Sequence, residues 1–184
     1  MAETPSNMLP LGTVAPPFRL PDTTSGNQVS LSDLMSKTGT VVMFICNHCP
    51  FVIHVRNEMV KIANYYQSQG IAFVAISSND VANYPQDAPD KMRVFAQENG
   101  FSFPYLYDET QEVAKAYEAA CTPDFYVFDG DLKLFYRGQM DGSRPNNGIP
   151  VTGKDLREAL DNLIAGQPAS MEQLPSIGCN IKWK

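Results

Sequence analysis

The stretch VVMFICNHCPFV, residues 41–52, joins an apolar run to two cysteines and then to a long amphipathic segment. Its continuous apolar, β-branched residues predict a strand that is buried on both faces of a sheet. From Phe51 onward, apolar residues recur at intervals of three and four, which predicts a helix. Cys46 and Cys49 therefore lie where a buried strand turns into a helix.

A second apolar run, IAFVAIS at 71–77, follows that helix and predicts another buried strand. Strand, helix and strand in this order form a parallel, right-handed βαβ unit. The two cysteines then lie at the carboxyl end of its first strand, which is where open α/β sheets place their sites.

Shorter patterns predict the remaining elements. Two hairpins are predicted: one pairs 18–20 with 28–30, and an antiparallel one covers 124–138 and turns at Asp129-Gly130. A helical turn is predicted from Ser30 and Asp33 to Met35, and a helix over 91–99 is expected to be capped by Asp90. Further helices are predicted over about 109–119, where Asp108 and Gln111 are spaced as a capping box, and over about 153–165.

Length and composition favour one domain of 184 residues, with 1–16 as a lead-in and 166–184 as an irregular tail that docks on the domain. A net charge of -6 argues against nucleic acid or an anionic membrane as partner. The N-terminus has no signal-peptide pattern, and the longest apolar run, 41–45, is too short to cross a bilayer. Because only four cysteines are present, we expect a cytoplasmic protein whose close cysteine pair is chemically active.

This order of elements resembles the thioredoxin fold, and specifically the peroxiredoxin-like proteins of the AhpC/TSA or redoxin type. The motifs that carry the resemblance are GTVAPPFRL, VSLSDLM, VVMFICNHCPFV, CTPDFYVFD, LFYRGQMDG and PSIGCNIKW. They are spread over nearly the whole chain. The resemblance implies an α/β, thioredoxin-like fold with a central mixed sheet, helices on both faces and an N-terminal β-hairpin extension.

The resemblance also implies a thiol-disulfide oxidoreductase that cycles Cys46 and Cys49 between dithiol and disulfide. In it, Cys46 is the exposed nucleophile and Cys49 the resolving thiol, while Thr122 and a cis Pro123 pack against them and receive an extended substrate. The implied partner is a protein or a low-molecular-weight thiol or disulfide, and no cofactor is needed beyond the redox-active disulfide. A thiol-dependent peroxidase, with Cys46 or Cys49 as the reactive residue, is the alternative.

The position of the helix start decides which sulfur is activated, because a helix N-terminus stabilises a thiolate. If Cys46 is the N-cap, Pro50 falls at the fourth helical position and removes the first intrahelical hydrogen bond. If Cys49 is the N-cap, Pro50 stands at the first position, where its missing N–H costs nothing. We favour Cys46, because the first cysteine of a C-x-x-C must be outermost to be reached by a partner disulfide.

His48 precedes the second cysteine, as in the CPHC site of DsbA-type oxidases, and is expected to stabilise the Cys46 thiolate. His54 is expected to be a surface or packing residue, and Arg137 to be solvated on an edge strand. Typical peroxiredoxins carry a hydroxyl three residues before the reactive cysteine, where this chain has Met43 or Cys46. This departure argues against an ordinary peroxidase.

Cys121 and Cys179 are either small buried core residues or further redox thiols that relay oxidation or pair with each other. A rival hypothesis is metal binding, in which all four cysteines, with His48 and His54 in reserve, supply soft ligands for zinc or copper. The spacing does not match a zinc ribbon, because the second pair is far apart in the sequence. We therefore expect no metal.

Overall fold

The computed structural model describes residues 3–184. Its strands are β1 (Glu3–Pro5), β2 (Arg19–Pro21), β3 (Gln28–Ser30), β4 (Gly39–Phe44), β5 (Ile71–Ser77), β6 (Tyr105–Tyr107), β7 (Cys121–Thr122), β8 (Asp124–Asp129), β9 (Leu134–Gly138) and β10 (Ile177–Asn180). Its helices are α1 (Leu31–Leu34), α2 (Pro50–Gln67), α3 (Pro89–Glu98), α4 (Glu112–Ala116) and α5 (Lys154–Ile164). None of these helices combines the length and the apolar character that a membrane span needs.

A five-stranded mixed sheet in the order β6-β5-β4-β8-β9 forms the centre of the protein. Strand β4 pairs in parallel with β5 and antiparallel with β8. The βαβ unit of β4, α2 and β5 and the antiparallel hairpin of β8 and β9 are therefore both confirmed, with the expected direction of each strand.

Both faces of this sheet are covered by helices, as predicted. Val41 and Met43 of β4 pack in an apolar cluster with buried residues of α2, α3 and α5. Val42 and Phe44 point to the opposite face and pack with residues of α1 and α4. Successive side chains of β4 are buried on opposite faces of the sheet, and burial of each stabilises the fold by about 1.5–3 kcal/mol. This burial on both faces fixes the register of the strand.

The N-terminal hairpin is also present, since β2 pairs antiparallel with β3. Helix α1 follows at once and begins with a capping box, in which the backbone N–H of Ser30 donates to the Asp33 carboxylate at 2.9 Å. The predicted start of this helical turn is confirmed.

Helix α3 starts two residues earlier than the pattern predicts. Ala88, not Asp90, is its N-cap, and Pro89 occupies the first helical position. A proline is favoured there because the first N–H of a helix has no intrahelical partner. The proposed cap at Asp90 is therefore wrong, and Asp90 lies in the first turn.

Helix α4 is shorter than the predicted 109–119. Gln111 adopts a left-handed backbone conformation with φ of 66°, which ends any continuous helix on its N-terminal side. The carboxylate of Asp108 accepts the backbone N–H groups of Val113 and Ala114 at 3.3 and 2.9 Å. Asp108 thus accepts hydrogen bonds from the free backbone N–H groups at the start of α4, in place of the expected capping box.

A separate three-stranded sheet in the order β1-β10-β7 joins the two ends of the chain. Cys179 pairs with Glu3 on one side and with Thr122 on the other. The expectation of an irregular tail is wrong for Ile177–Asn180, because strand pairing at long sequence separation leaves no local period in four residues.

Arg137 is fully buried, so its expected exposure to solvent is wrong. Its Nη2 donates to Oδ2 of Asp124 at 3.0 Å and to the carbonyl of Glu118 at 2.9 Å, and its guanidinium lies 4.4 Å from the ring centroid of Tyr126. The tail covers this edge of the sheet, since the Arg137 N–H donates to the Gln173 side chain. Burial raises the pKa of Asp124 to about 7, although the Arg137 charge opposes the rise.

We expect Arg137→Met to destabilise the protein by about 3–5 kcal/mol, because it leaves the Asp124 carboxylate buried without its counter-ion. Urea unfolding measures the loss, and Arg93→Met, at an exposed position, is the control. Adding Asp124→Asn to Arg137→Met is expected to recover part of the stability. Equal stability of the Arg137 and Arg93 variants would contradict the assigned ion pair.

Candidate active site

The turn between β4 and α2 places Cys46 and Cys49 at the carboxyl end of the central strand. Helix α2 starts at Pro50, and Cys49 is its N-cap. The backbone N–H groups of Val52 and Ile53 both donate to the Cys49 carbonyl at 3.0 Å. The helix start favoured from the sequence is therefore wrong, and the proline decides it, since Pro50 loses no hydrogen bond at the first helical position.

Cys46 is a free thiol that lies beneath the surface with only 1% of its area exposed, so the expectation of an exposed Cys46 is wrong. Its Sγ lies 3.6 Å from Oγ1 of Thr122. Burial and then the charge of Asp87 raise the pKa of Cys46 to about 12. The hydroxyl of Thr122 and the backbone N–H groups of Cys49 and His48 oppose this rise only in part.

His48 lies beside Cys46 and contacts a buried carboxylate. Its Nδ1 is 2.6 Å from Oδ2 of Asp87, and its ring stacks on Tyr84 with 5.8 Å between centroids. The side chain of His48 keeps 17% of its area exposed, whereas that of Asp87 is fully buried. The histidine therefore connects the enclosed Cys46 region to the surface.

Asp87 organises the loop that faces the two cysteines. Its carboxylate accepts the Asn47 backbone N–H at 2.8 Å and the Asn79 side-chain amide at 2.9 Å, besides its contact with His48. Burial acts to raise the pKa of Asp87, but these three contacts outweigh it and the pKa falls below its ordinary value. Asp87 is thus a carboxylate at neutral pH.

Sequence reasoning missed Asp87, because it lies in a long polar stretch with two other acidic residues, Asp80 and Asp90. The available signal was topological: this loop follows β5, whose carboxyl end lies beside that of β4. An acidic residue in such a loop is a candidate for the site.

The Thr122-Pro123 segment packs against both cysteines, and its peptide bond is cis, as the family resemblance implied. The Thr122 carbonyl oxygen is 3.4 Å from Sγ of Cys49, while its hydroxyl contacts Cys46. Four of the predicted site residues therefore meet at one point, and His48 adjoins them.

Cys49 forms a disulfide with Cys179 rather than with Cys46. The two residues are 130 positions apart in the sequence, with 6.2 Å between their Cα atoms. The pairing of Cys179 with Thr122 in the β7–β10 register brings it to the site. Cys121 is a buried free thiol whose Sγ lies 3.9 Å from the Ser176 carbonyl, and burial raises its pKa well above the ordinary value.

The four-cysteine metal site is not assembled in this structure, because the sulfurs of Cys49 and Cys179 are bonded to each other. A smaller set of possible ligand atoms, from Cys46, His48 and Asp87, lies within 4.8 Å of one another. Three donors fall short of the four that close a structural zinc site. His54 contacts Ser143 instead, with 2.7 Å from its Nε2 to the serine Oγ.

Comparisons with known proteins agree with this architecture. The model of the AhpC/TSA family matches residues 11–137. A solved structure of an uncharacterized conserved protein from Geobacillus kaustophilus is 62% identical, covers 100% of this chain and 97% of that chain, and superimposes with a TM-score of 0.98.

Two further relatives are named for redox chemistry. The thiol-disulfide oxidoreductase ResA of Geobacillus kaustophilus is 29% identical over 135 residues, which is 71% of each chain. The thioredoxin domain of a thiol-disulfide oxidoreductase from Bacteroides vulgatus has a TM-score of 0.66 at 19% identity, over 85% of this chain and 99% of that chain. The predicted thioredoxin-like fold is therefore confirmed.

We expect Asp87→Asn to lower the pKa of Cys46, because the carboxylate charge is the second-largest cause of its rise. Each unit of decrease gives about a tenfold larger thiolate fraction at a fixed pH. The titration is followed by the carbon-13 shift of the Cys46 Cβ atom, in a Cys121→Ser background that leaves Cys46 as the one remaining free thiol.

Asp90→Asn, at an exposed position in the first turn of α3, is the matched control and is expected to leave the Cys46 titration unchanged. A Cys46 midpoint that is the same in the Asp87 variant and in the unsubstituted chain would show that the carboxylate does not act on the thiol.

Proposed function

The chain belongs to the AhpC/TSA family, and from that premise we propose that it is a thiol-disulfide oxidoreductase whose redox residues are Cys46 and Cys49. The observation that carries the proposal is the meeting of both sulfurs at Thr122, one on its hydroxyl and one on its carbonyl, at a strand-to-helix turn. Both sulfurs therefore contact the same residue of the cis-proline segment.

In the proposed cycle, Cys46 and Cys49 pass between dithiol and disulfide and exchange two electrons with a partner thiol or disulfide. Cys49 is the sulfur shared by successive disulfides, because it is the one already bonded in the structure and it caps α2. Cys46 is the resolving thiol. The reverse order, with attack by Cys46, is opposed by the position of the helix start, because Cys49 and not Cys46 lies at the N-terminus of α2.

A buried thiol with a pKa of about 12 needs a proton acceptor before it can attack a disulfide. We assign this part to His48, whose ligand atom lies within 4.8 Å of the Cys46 sulfur and whose ring is held by Asp87. The imidazole takes the proton, and the adjacent Asp87 carboxylate stabilises the resulting charge. This replaces direct activation of Cys46 by the helix N-terminus.

The proposal includes no cofactor beyond the redox-active disulfide, and its partner is a protein or a low-molecular-weight thiol. It also places the protein in the cytoplasm, because four cysteines in 184 residues are few for a disulfide-stapled secreted protein. In a reducing compartment, the Cys49–Cys179 disulfide is transient and belongs to turnover.

Single serine variants test the redox pair with a disulfide-bonded peptide as substrate and dithiothreitol as reductant. Cys49→Ser is expected to lower the rate by roughly a hundredfold or more, since it removes the shared sulfur. Cys46→Ser is expected to lower the rate as well and, when dithiothreitol is left out, to accumulate a disulfide at Cys49, which mass mapping after thiol trapping identifies. Wild-type rates in both variants would overturn the assignment.

One observation favours a peroxidase as the second candidate. A Cys49–Cys179 disulfide is also what a sulfenic acid on Cys49 gives when a second thiol condenses with it. Against it, Arg137 is paired with Asp124 inside the protein, and the hydroxyl nearest the cysteines, on Thr122, contacts Cys46. Stopped-flow oxidation of the reduced protein decides: faster reaction with peroxide than with oxidised glutathione supports the peroxidase.

A further inference from the structure

We propose that Cys179 is a third redox thiol, the one that meets the partner, and that electrons pass between partner and Cys46 by way of Cys179 and Cys49. This inference rests on the proposed function of the Cys46–Cys49 pair. It assigns a role to the C-terminal strand β10. The family match ends at residue 137 and does not reach this strand, and the spacing of the cysteines does not indicate such a role.

Strand β10 is held in place by bonds that do not depend on the disulfide. At its N-terminal end, the Ser176 backbone N–H donates to the Ser6 hydroxyl at 3.0 Å, and the Ser176 hydroxyl donates to the Pro123 carbonyl. At its C-terminal end, the Ile181 N–H donates to the Ala120 carbonyl at 3.0 Å and the Lys182 N–H to the Asn79 side chain at 2.9 Å. Cys179 therefore stays beside Cys49 after the disulfide is reduced.

The backbone of β10 at Gly178 lies in close contact with the backbone of Thr122. A Cβ atom added to Gly178 would overlap the carbonyl of Thr122, the same residue that contacts both Cys46 and Cys49. Because the two strands are this close, the Cys179 sulfur is presented to Cys49 at a high effective concentration. Such a geometry suits repeated bond exchange between fixed sulfurs.

Cys179 is also the cysteine that lines an opening to the surface, and 1% of its own area is exposed. An open cavity of about 540 Å³ is lined by Glu3, Pro50, Phe51, Arg144, Pro145, Asn146, Asn147 and Cys179. Among the described residues, this lining contains Cys179 but neither Cys46 nor Cys49. A cavity of this volume suits a small molecule, so the partner we assign is a low-molecular-weight disulfide or its thiol.

The relay balances as three thiol-disulfide exchanges. The Cys179 thiolate attacks a disulfide RSSR, forms a Cys179–S–SR bond and releases RS⁻. The Cys49 thiolate then attacks the Cys179 sulfur, releases the second RS⁻ and forms the disulfide found in the structure. Finally, the Cys46 thiolate attacks the Cys49 sulfur, which forms a Cys46–Cys49 disulfide and returns Cys179 as a thiolate, while the Cys46 proton leaves through His48.

The first test compares Cys179→Ser with Cys121→Ser, a matched variant of a buried free thiol on the adjacent strand β7. With oxidised glutathione as the partner, Cys179→Ser is expected to slow oxidation of the reduced protein by roughly tenfold or more, while Cys121→Ser reacts at the rate of the unsubstituted chain. An unchanged rate in Cys179→Ser would overturn the relay.

A disulfide-bonded peptide is the second substrate, and a faster reaction of the reduced protein with this peptide than with oxidised glutathione would overturn the assignment of a small-molecule partner.

The second test locates the first adduct and uses a variant that keeps Cys179. In Cys49→Ser, oxidised glutathione is expected to form a mixed disulfide on Cys179, found by mass mapping. An adduct on Cys46 would overturn the assigned order even if Cys179→Ser failed to fold.

The proposed function can fail separately from the relay. Oxidation of Cys179→Ser with diamide, a chemical oxidant of dithiols, is expected to give the Cys46–Cys49 disulfide, because this step needs no third thiol. If that disulfide never forms in Cys179→Ser or in the unsubstituted chain, the proposed redox pair is wrong. If it forms while the glutathione reaction of Cys179→Ser is unimpaired, the pair stands and the relay is wrong.

Discussion

The packing of Thr122 against three separate parts of the chain is the constraint on which the site depends. Its hydroxyl contacts Cys46, its carbonyl oxygen contacts Cys49, and its backbone pairs with Cys179 in β10. This one residue therefore contacts all three segments that carry these cysteines. The strands β8 and β4 keep it in place, because β8 follows directly after Pro123 and pairs along the whole length of β4.

The elements that were predicted correctly are those that a pattern within a short stretch of sequence determines. The continuous apolar run of β4 and the three-to-four spacing in α2 each reflect burial by the sheet, and both elements formed where expected. The same local reasoning contained the correct helix start, since Pro50 at the first helical position was recognised as free of cost. Functional analogy with a C-x-x-C outweighed that argument and gave the wrong N-cap.

The features that the sequence did not reveal depend on contacts between distant residues. In the sequence, nothing distinguishes Asp87 from other acidic loop residues, and its role follows from the contact of its loop with His48 beside Cys46. Arg137 is predicted to be exposed because the sequence does not show that the tail covers β9. Strand β10 has only four residues, and its partners lie at the other end of the chain and beside the cis-proline. No pattern within a short window carries such pairings, so the sequence left Cys179 as a core residue, a thiol that relays oxidation or a partner of Cys121.

In the proposed function, Asp87 acts on Cys46 in two opposing ways. The carboxylate adds to the effect of burial and raises the pKa of Cys46, so the thiol keeps its proton at neutral pH. The same carboxylate contacts the imidazole of His48, to which we assign removal of the proton. While the thiol keeps its proton, Cys46 cannot displace Cys179 from Cys49. In the proposed relay, the Cys49–Cys179 disulfide found in the structure therefore persists until Cys46 has lost its proton.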